Sequence, residues 1–345
     1  MSLSVQIRKS FPSFSLNVDL SCENETLALL GASGCGKSLT LRCIAGVDKP
    51  DGGRIIVNSR VLYDSARRIN IPPQKRRVGY LFQHGALFPN MTVRENVAQG
   101  CLALPQAQRK ERVADLISQM RLSGFEKHYP AQLSGGQRQR VALARIMVGD
   151  PEVLLLDEPF NALDDFLKWQ LETEIAESLR TFSGSVIFVS HNRDEAYRLC
   201  RRVCVMENGR TEPPVDTKTL FANPQTLSAC ILSGCKNFSG GKLISPDTFF
   251  ASDWGIVLCG NFPPNTSYVG IRAHSISPCN GGQNNENVIK CEVLHVVEDV
   301  FSFVTTLRTD AGGMLRMDIS KDEWLALNNP QTMCVRLGGL MPLTV

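Results

Sequence analysis

Residues 31 to 38 read Gly-Ala-Ser-Gly-Cys-Gly-Lys-Ser, after the apolar run Leu27-Ala28-Leu29-Leu30 and before the helix-compatible stretch Leu39-Thr40-Leu41-Arg42-Cys43-Ile44-Ala45. Strand, glycine loop and helix in that order suit a polyphosphate. Gly31, Gly34 and Gly36 permit backbone angles that turn successive N–H groups toward an anion at the helix N-terminus. Lys37 then reaches the β and γ phosphates, and the Ser38 hydroxyl is a ligand for the Mg²⁺ that bridges them, which completes the pattern Gly-x4-Gly-Lys-Ser/Thr.

Other residues converge on the same chemistry. The apolar strand Val153-Leu154-Leu155-Leu156 ends in Asp157-Glu158, and strand ends of an open parallel sheet are where ligands bind. Asp157 is expected to hold Mg²⁺ through water, and Glu158 to polarise the water that attacks a γ-phosphate. Val186-Ile187-Phe188-Val189-Ser190 stops at His191, which points at the same edge and is expected to keep Glu158 and the attacking water in line. Val78-Gly79-Tyr80-Leu81-Phe82 ends on Gln83, whose neutral amide suits Mg²⁺. Leu133-Ser134-Gly135-Gly136-Gln137 precedes a helix expected over Arg138 to Arg145, which Ser134 can cap, so the Gly135 and Gly136 amides and the helix dipole present a second anion site. Phe11, beside the Pro12-Ser13 turn, is either an aromatic that stacks on adenine or a core side chain.

The elements that must position these groups can be read from periodicity. Val5 and Ile7, then Phe14, Leu16, Val18 and Leu20, alternate as in an antiparallel hairpin. Helical spacing of Val113, Leu116, Ile117 and Met120 marks a helical block over about residues 87 to 150. Leu167, Leu171, Ile175 and Leu179 form one buried stripe of a later helix. Beyond residue 235 the composition shifts to Gly, Asn, Ser and Pro, with strand-like runs at 268–272, 291–296 and 303–307. The expected fold class is α/β: a phosphate-loop domain over 1–235, with a mixed sheet and the inserted helical block, then a small all-β domain over 236–345.

Composition agrees with a soluble two-domain chain: 345 residues, 43% hydrophobic and 21% charged. A net charge of +3 with dispersed Lys and Arg gives no case for nucleic acid. The start lacks the apolar core of a signal peptide and no run reaches about 18 apolar residues, which predicts a cytosolic location. The twelve cysteines are therefore expected as reduced thiols. Cys200 with Cys204 and Cys230 with Cys235 lack companions at zinc spacing. A modified Cys35 would crowd the phosphate loop.

With these residues in place, the chain over 1 to about 235 resembles the ATP-binding subunit of ABC transporters of importer type. The resemblance implies ATP and Mg²⁺ as ligands, with Gly31, Ala32, Ser33, Gly34, Cys35, Gly36, Lys37, Ser38 and Leu39 as the nucleotide loop. It also implies Phe11 as the adenine-stacking aromatic, Gln83 as a mobile glutamine at ATP and metal, and Ser134, Gly135, Gly136 and Gln137 as the signature motif. Ser38, Gln83 and Asp157 are the implied metal ligands, Glu158 and His191 the catalytic pair, and Asn161 to Asp164 the segment after them. Ala32, Leu39 and Asn192 depart from the commonest importer residues without removing a group that touches phosphate or metal.

Further implications concern partners. ATP would lie between the nucleotide loop of one subunit and the signature motif of another in a head-to-tail dimer. A groove beside Gln83 would pass motion to membrane permease subunits on the cytoplasmic face, which an extracytoplasmic binding protein supplies. The segment from Arg54 to Gln83, with its Pro72-Pro73-Gln74-Lys75-Arg76-Arg77, is most similar to molybdate importers, while sulfate, ferric iron, polyamine and sugar importers share its outline. The last segment resembles the small C-terminal barrel of importer ATPases, in a regulatory or dimerising role. ABC ATPases without a permease and exporters are the competing readings; small-molecule kinases lack a need for Leu133 to Gln137.

Overall fold

The computed structural model describes residues 1–82, 86–161, 165–279 and 286–344. It divides into two compact units, Met1–Thr217 and Lys218–Val345.

The first unit opens on the expected hairpin, β1 (Ser2–Phe11) and β2 (Phe14–Glu23), in which Val5 faces Leu20 and Ile7 faces Val18. Then come β3 (Thr26–Leu30), α1 (Lys37–Ala45), β4 (Gly52–Val57), β5 (Arg60–Asp64), β6 (Ile69–Asn70) and β7 (Val78–Leu81). The helical block holds α2 (Val93–Ala98), α3 (Gln106–Gln119) and α4 (Gly135–Met147). The chain returns through β8 (Val153–Asp157), α5 (Asp165–Thr181), β9 (Ser185–Ser190), α6 (Arg193–Leu199), β10 (Arg202–Glu207), β11 (Arg210–Thr211) and β12 (Val215–Asp216).

These strands form one mixed sheet in the order β6-β5-β4-β1-β2-β11-β10-β3-β9-β8-β7, with β12 on β10. The half from β10 to β7 is parallel, and every residue of β8 and β9 is buried, as expected of strands covered on both faces. Because β3, β8 and β9 run side by side in one direction, the glycine loop, Asp157-Glu158 and His191 all emerge at the same edge. The stripe on α5 buries Leu171, Ile175 and Leu179; the side chain of Leu167 lies outside the described residues.

Arg76 explains how α1 is anchored at its far end. Its guanidinium is buried and donates to the Cys43 and Ile44 carbonyls at 2.9 and 2.7 Å, to Ile71 O at 2.7 Å and to Asn70 Oδ1 at 2.8 Å. It thereby satisfies carbonyls that a helix C-terminus leaves unpaired. Gly46, with φ 83°, ends the helix where a Cβ would stand 2.5 Å from Arg76 Nε. In the helical block, the buried Asn96 donates to Phe88 O, Met91 O and Thr92 O and accepts from Phe88 N, fixing the chain that leads into α2.

The second unit has α7 (Thr217–Ala222) and α8 (Leu227–Leu232), then β13 (Asn237–Ser245), β14 (Thr248–Ala251), β15 (Ile256–Cys259), β16 (Tyr268–Ile271) and β17 (Ile276–Pro278). It ends with β18 (Val288–Glu298), β19 (Ser302–Thr309), β20 (Met314–Ser320), the short α9 (Lys321–Ala326), β21 (Thr332–Leu337) and β22 (Met341–Leu343). They make two five-stranded sheets, β15-β14-β13-β16-β22 and β17-β21-β18-β19-β20, where the resemblance implied a barrel. The boundary falls earlier than residue 235 because the intervening segment bonds to these strands: Arg272 donates to Phe221 O and Ser233 O, and Cys230 and Cys235 pack with Met341 and Leu343.

Arg76→Ala should destabilise the first unit by roughly 3 kcal/mol or more, since buried carbonyls lose their donors. Urea unfolding of the full chain checks this; a loss below about 1 kcal/mol would remove the anchoring role.

Candidate functional site

The glycine loop is built by close approach. A Cβ on Gly31 would stand 2.3 Å from Met206 O and 2.6 Å from Cys35 Sγ, and Gly36 takes φ 111° with Leu16, Met206 and Phe14 closing on it. The loop is tied down by Gly209 N donating to Cys35 O at 3.1 Å. α1 starts directly after Gly36 with no side-chain cap, so its first amides have no side-chain acceptor. Lys37 is buried; its ammonium donates to Gly31 O at 2.8 Å and Ala32 O at 2.9 Å, carbonyls of the loop itself.

Asp157 joins three elements. Ser38 Oγ donates to its Oδ1 at 3.0 Å, and Tyr80 OH on β7 donates to its Oδ2 at 2.9 Å. Burial pushes the Asp157 carboxyl above its ordinary range, against the lowering effect of these two hydrogen bonds, and burial also raises the Tyr80 hydroxyl. A desolvated carboxylate beside a serine hydroxyl is an oxygen donor set for a hard cation, and Mg²⁺ is typically held by one or two carboxylates plus phosphate and water. The fit for Mg²⁺ is therefore good at Ser38 and Asp157. Gln83, the third expected ligand, lies outside the described residues.

Glu158 leaves the strand. Its φ is 47°, its amide donates to Val189 O at 2.9 Å, and its carboxylate meets Asn161 Nδ2 on one oxygen and His191 Nδ1 at 3.4 Å on the other. His191 is 57% exposed on its side chain and sits in a turn braced from below. There Ser190 Oγ donates to Glu195 at 2.6 Å and accepts from Asn192 N at 2.8 Å.

Ser33, Gly34, Gly36, Lys37, Ser38 and Leu39 thus line one cleft of about 730 Å³ with Glu158, Asn161 and His191 opposite. Phe14 also lines it, while Phe11 stands beside Phe14 with ring centroids 6.3 Å apart and is 44% exposed. Ser134, Gly135, Gly136 and Gln137 do not line this cleft. They begin α4, where Ser134 Oγ accepts from Gln137 N and Gln137 Oε1 accepts from Ser134 N, a reciprocal cap. Among the segment after Glu158, Asn161 is described, and 162–164 lie outside the described residues.

Sequence reasoning missed Tyr80 as a partner of Asp157 and the bond from Asn161 to Glu158. The alternation Val78, Tyr80, Phe82 was the available signal for the first: it puts Tyr80 on one face of the parallel edge strand β7, beside β8. Phe14 was read only as part of the hairpin.

A glycine loop at an uncapped helix end, a desolvated aspartate and a glutamate gripped by histidine and asparagine define a nucleoside-triphosphate site. Residues 15–161 match the family model described as ABC transporter. The chain is 34% identical to the spermidine/putrescine import ATP-binding protein of Rubrobacter xylanophilus, over 94% of this chain and 88% of that one. It is 36% identical to the sulfate/thiosulfate import ATP-binding protein of Mycobacterium bovis, over 92% and 85%. With the Fe(3+) ions import ATP-binding protein of Haemophilus influenzae it shares 38% identity over 69% of this chain, and spans 66% of that relative. The dimeric structure of an ATP-binding cassette in a post-hydrolysis state with ADP and Pi superposes with a TM-score of 0.53 at 26% identity, covering 63% of this chain and 99% of that one. The chain belongs to the ATP-binding subunits of ABC transporters. Among the described residues no helix is long and apolar enough to cross a membrane.

Asp157→Asn tests the desolvation reading. Because the folded-state carboxyl titrates above its unfolded value, the folded protein binds more protons between the two, and stability falls as pH rises through that window. The neutral amide removes this loss, so the nucleotide-free variant should melt higher than the parent at pH 7 and lose the fall in stability across that window. Mg²⁺-dependent hydrolysis should drop about a hundredfold or more. A lower melting point with hydrolysis retained would overturn both halves.

Proposed function

We propose that the chain is the ATP-hydrolysing subunit of an ABC importer, working as a head-to-tail pair bound to permease subunits at the cytoplasmic face of the membrane. One observation carries this reading: the second phosphate-binding helix end, at Ser134 to Gln137, does not line the cleft that holds Lys37, Glu158 and His191. A second copy would supply that wall. In this reading ATP phosphates replace Gly31 O and Ala32 O as partners of Lys37, and the α1 amides receive the β-phosphate. Ser38 and Asp157 would hold Mg²⁺, which when bound would supply charge neutralisation. Glu158, its oxygens oriented by Asn161 and His191, takes the proton of the attacking water. Phe11 or Phe14 stacks on the base.

A groove of about 760 Å³ between the β7 edge and the helical block fits a permease helix, with Phe82, Phe88 and Arg145 on its walls. The substrate reading is molybdate, from the likeness over Arg54 to Gln83. The names of the relatives above point instead to ferric iron, polyamines and sulfate, so these are the competing substrates. The β-rich second unit is proposed as a regulatory or dimerising domain, since the named nucleotide-site residues all lie in the first unit.

Glu158→Gln should leave ATP affinity within about threefold while cutting hydrolysis by roughly 10²-fold or more, and should accumulate as a dimer in MgATP. Size-exclusion with light scattering reads this; a monomer at saturating ATP would reject the paired site. Mixing Lys37→Ala with Gly135→Asp chains should form one composite site free of either lesion, and nucleotide counts per mixed dimer test it. Uptake by the permease complex in the presence of molybdate, sulfate, ferric citrate or spermidine identifies the substrate. Stimulation by sulfate, iron or polyamine alone would reject molybdate.

A further inference from the structure

Nine of the cysteines are buried, and only Cys259, Cys279 and Cys334 are partly exposed. Two of those three face one another. β17 pairs with β21 as Ile276 to Leu337, Ser277 to Arg336 and Pro278 to Val335, so the next step of the ladder sets Cys279 opposite Cys334. The ladder does continue, because Cys279 N donates to Cys334 O at 3.0 Å. Alternation puts both thiols on the same, outward face: Ser277 and Arg336, one pair earlier with the same sense, are exposed, while Met333, Val335 and Ile276 are buried. Residues opposed in a hydrogen-bonded antiparallel pair have Cα atoms about 5.5 Å apart, inside the roughly 4.4–6.8 Å range that a disulfide spans.

We propose that Cys279 and Cys334 form an oxidisable dithiol, a modification site at which a peroxide closes an intrachain disulfide across β17 and β21. One thiolate attacks the peroxide oxygen, giving a sulfenic acid and, with a proton, one water. The second sulfur then displaces the sulfenic oxygen as a second water, so two thiols lose two electrons and two protons to one hydrogen peroxide. Partial burial and the neighbouring Cys334 push the Cys279 thiol up, so closure quickens as pH rises. A dithiol reductant reverses it. Cys230 and Cys235 are also neighbours, but both are buried between β16 and the C-terminal strand, away from solvent oxidant.

The test is hydrogen peroxide treatment of the folded full-length protein, then alkylation under denaturing conditions and peptide mass spectrometry. Expected are the loss of two of the twelve alkylatable thiols, a Cys279–Cys334 cross-linked peptide, and its disappearance in Cys279→Ser and in Cys334→Ser. Both variants should keep basal ATPase activity and the parent's circular dichroism, and dithiothreitol should restore both thiols. A Cys230–Cys235 link in its place, or single oxidation of Cys279 and Cys334 with no linked peptide, overturns the proposal.

Discussion

A carboxylate buried at the end of an inner parallel strand is unfavourable unless something compensates its charge, and Asp157 is in that position. Two neutral hydroxyls, Ser38 from α1 and Tyr80 from β7, occupy its oxygens, yet its protonation remains shifted upward by burial. The arrangement therefore favours a cation, and geometry dictates where: between the first turn of α1 and the end of β8. The parallel order of β3, β9, β8 and β7 exists, in effect, to bring those two ends together. Arg76, which precedes β7, ties the C-terminal end of α1 to Asn70 and Ile71.

The two glycine-bearing helix ends are built differently. α1 has glycine at its cap and no side chain closing its amides, while α4 is closed by its own Ser134 and Gln137. An open end in a cleft leaves its amides available to an anion in that cleft. A self-capped end away from that cleft can meet an anion presented from outside without leaving amides bare in the meantime. α4 is also linked to the catalytic half: Arg140 pairs with Glu174 of α5 at 2.8 Å, and Arg121 reaches the same carboxylate at 3.1 Å. The Arg140–Glu174 pair thus ties α4 to the helix that follows the Glu158 segment.

Much of this was legible from residue order because phosphate chemistry uses short, contiguous patterns. Gly31 to Ser38, Asp157-Glu158 and Ser134 to Gln137 each carry loop, cap and chemistry within a few residues, and the apolar strands before them state which edge they face. Contacts across long separations were not legible. Tyr80 and Asp157 are 77 residues apart and Arg76 and Cys43 are 33 apart; alternation gave the face of Tyr80, but nothing local in either residue names its partner. The second unit shows the same divide: alternation exposed its strands, but the order β17-β21-β18-β19-β20 depends on packing over Trp324, Met317 and Val335. Its early boundary followed from backbone bonds at Phe221 and Ser233 that composition does not register.

Glu158 shows why the motif needs two acids in succession and why the strand must stop between them. Consecutive residues of a strand point to opposite faces, so an extended Asp-Glu pair could not serve one cleft from the same side. Asp157 ends β8 and turns to Ser38. Glu158 then takes a left-handed backbone, a conformation costing of order 1 kcal/mol or more outside glycine, and its amide bond to Val189 O holds it there. That twist swings the second carboxylate toward Asn161 and His191 rather than across the sheet. The strain is local and sits where the two acids part, Asp157 toward Ser38 and Tyr80 and Glu158 toward Asn161 and His191.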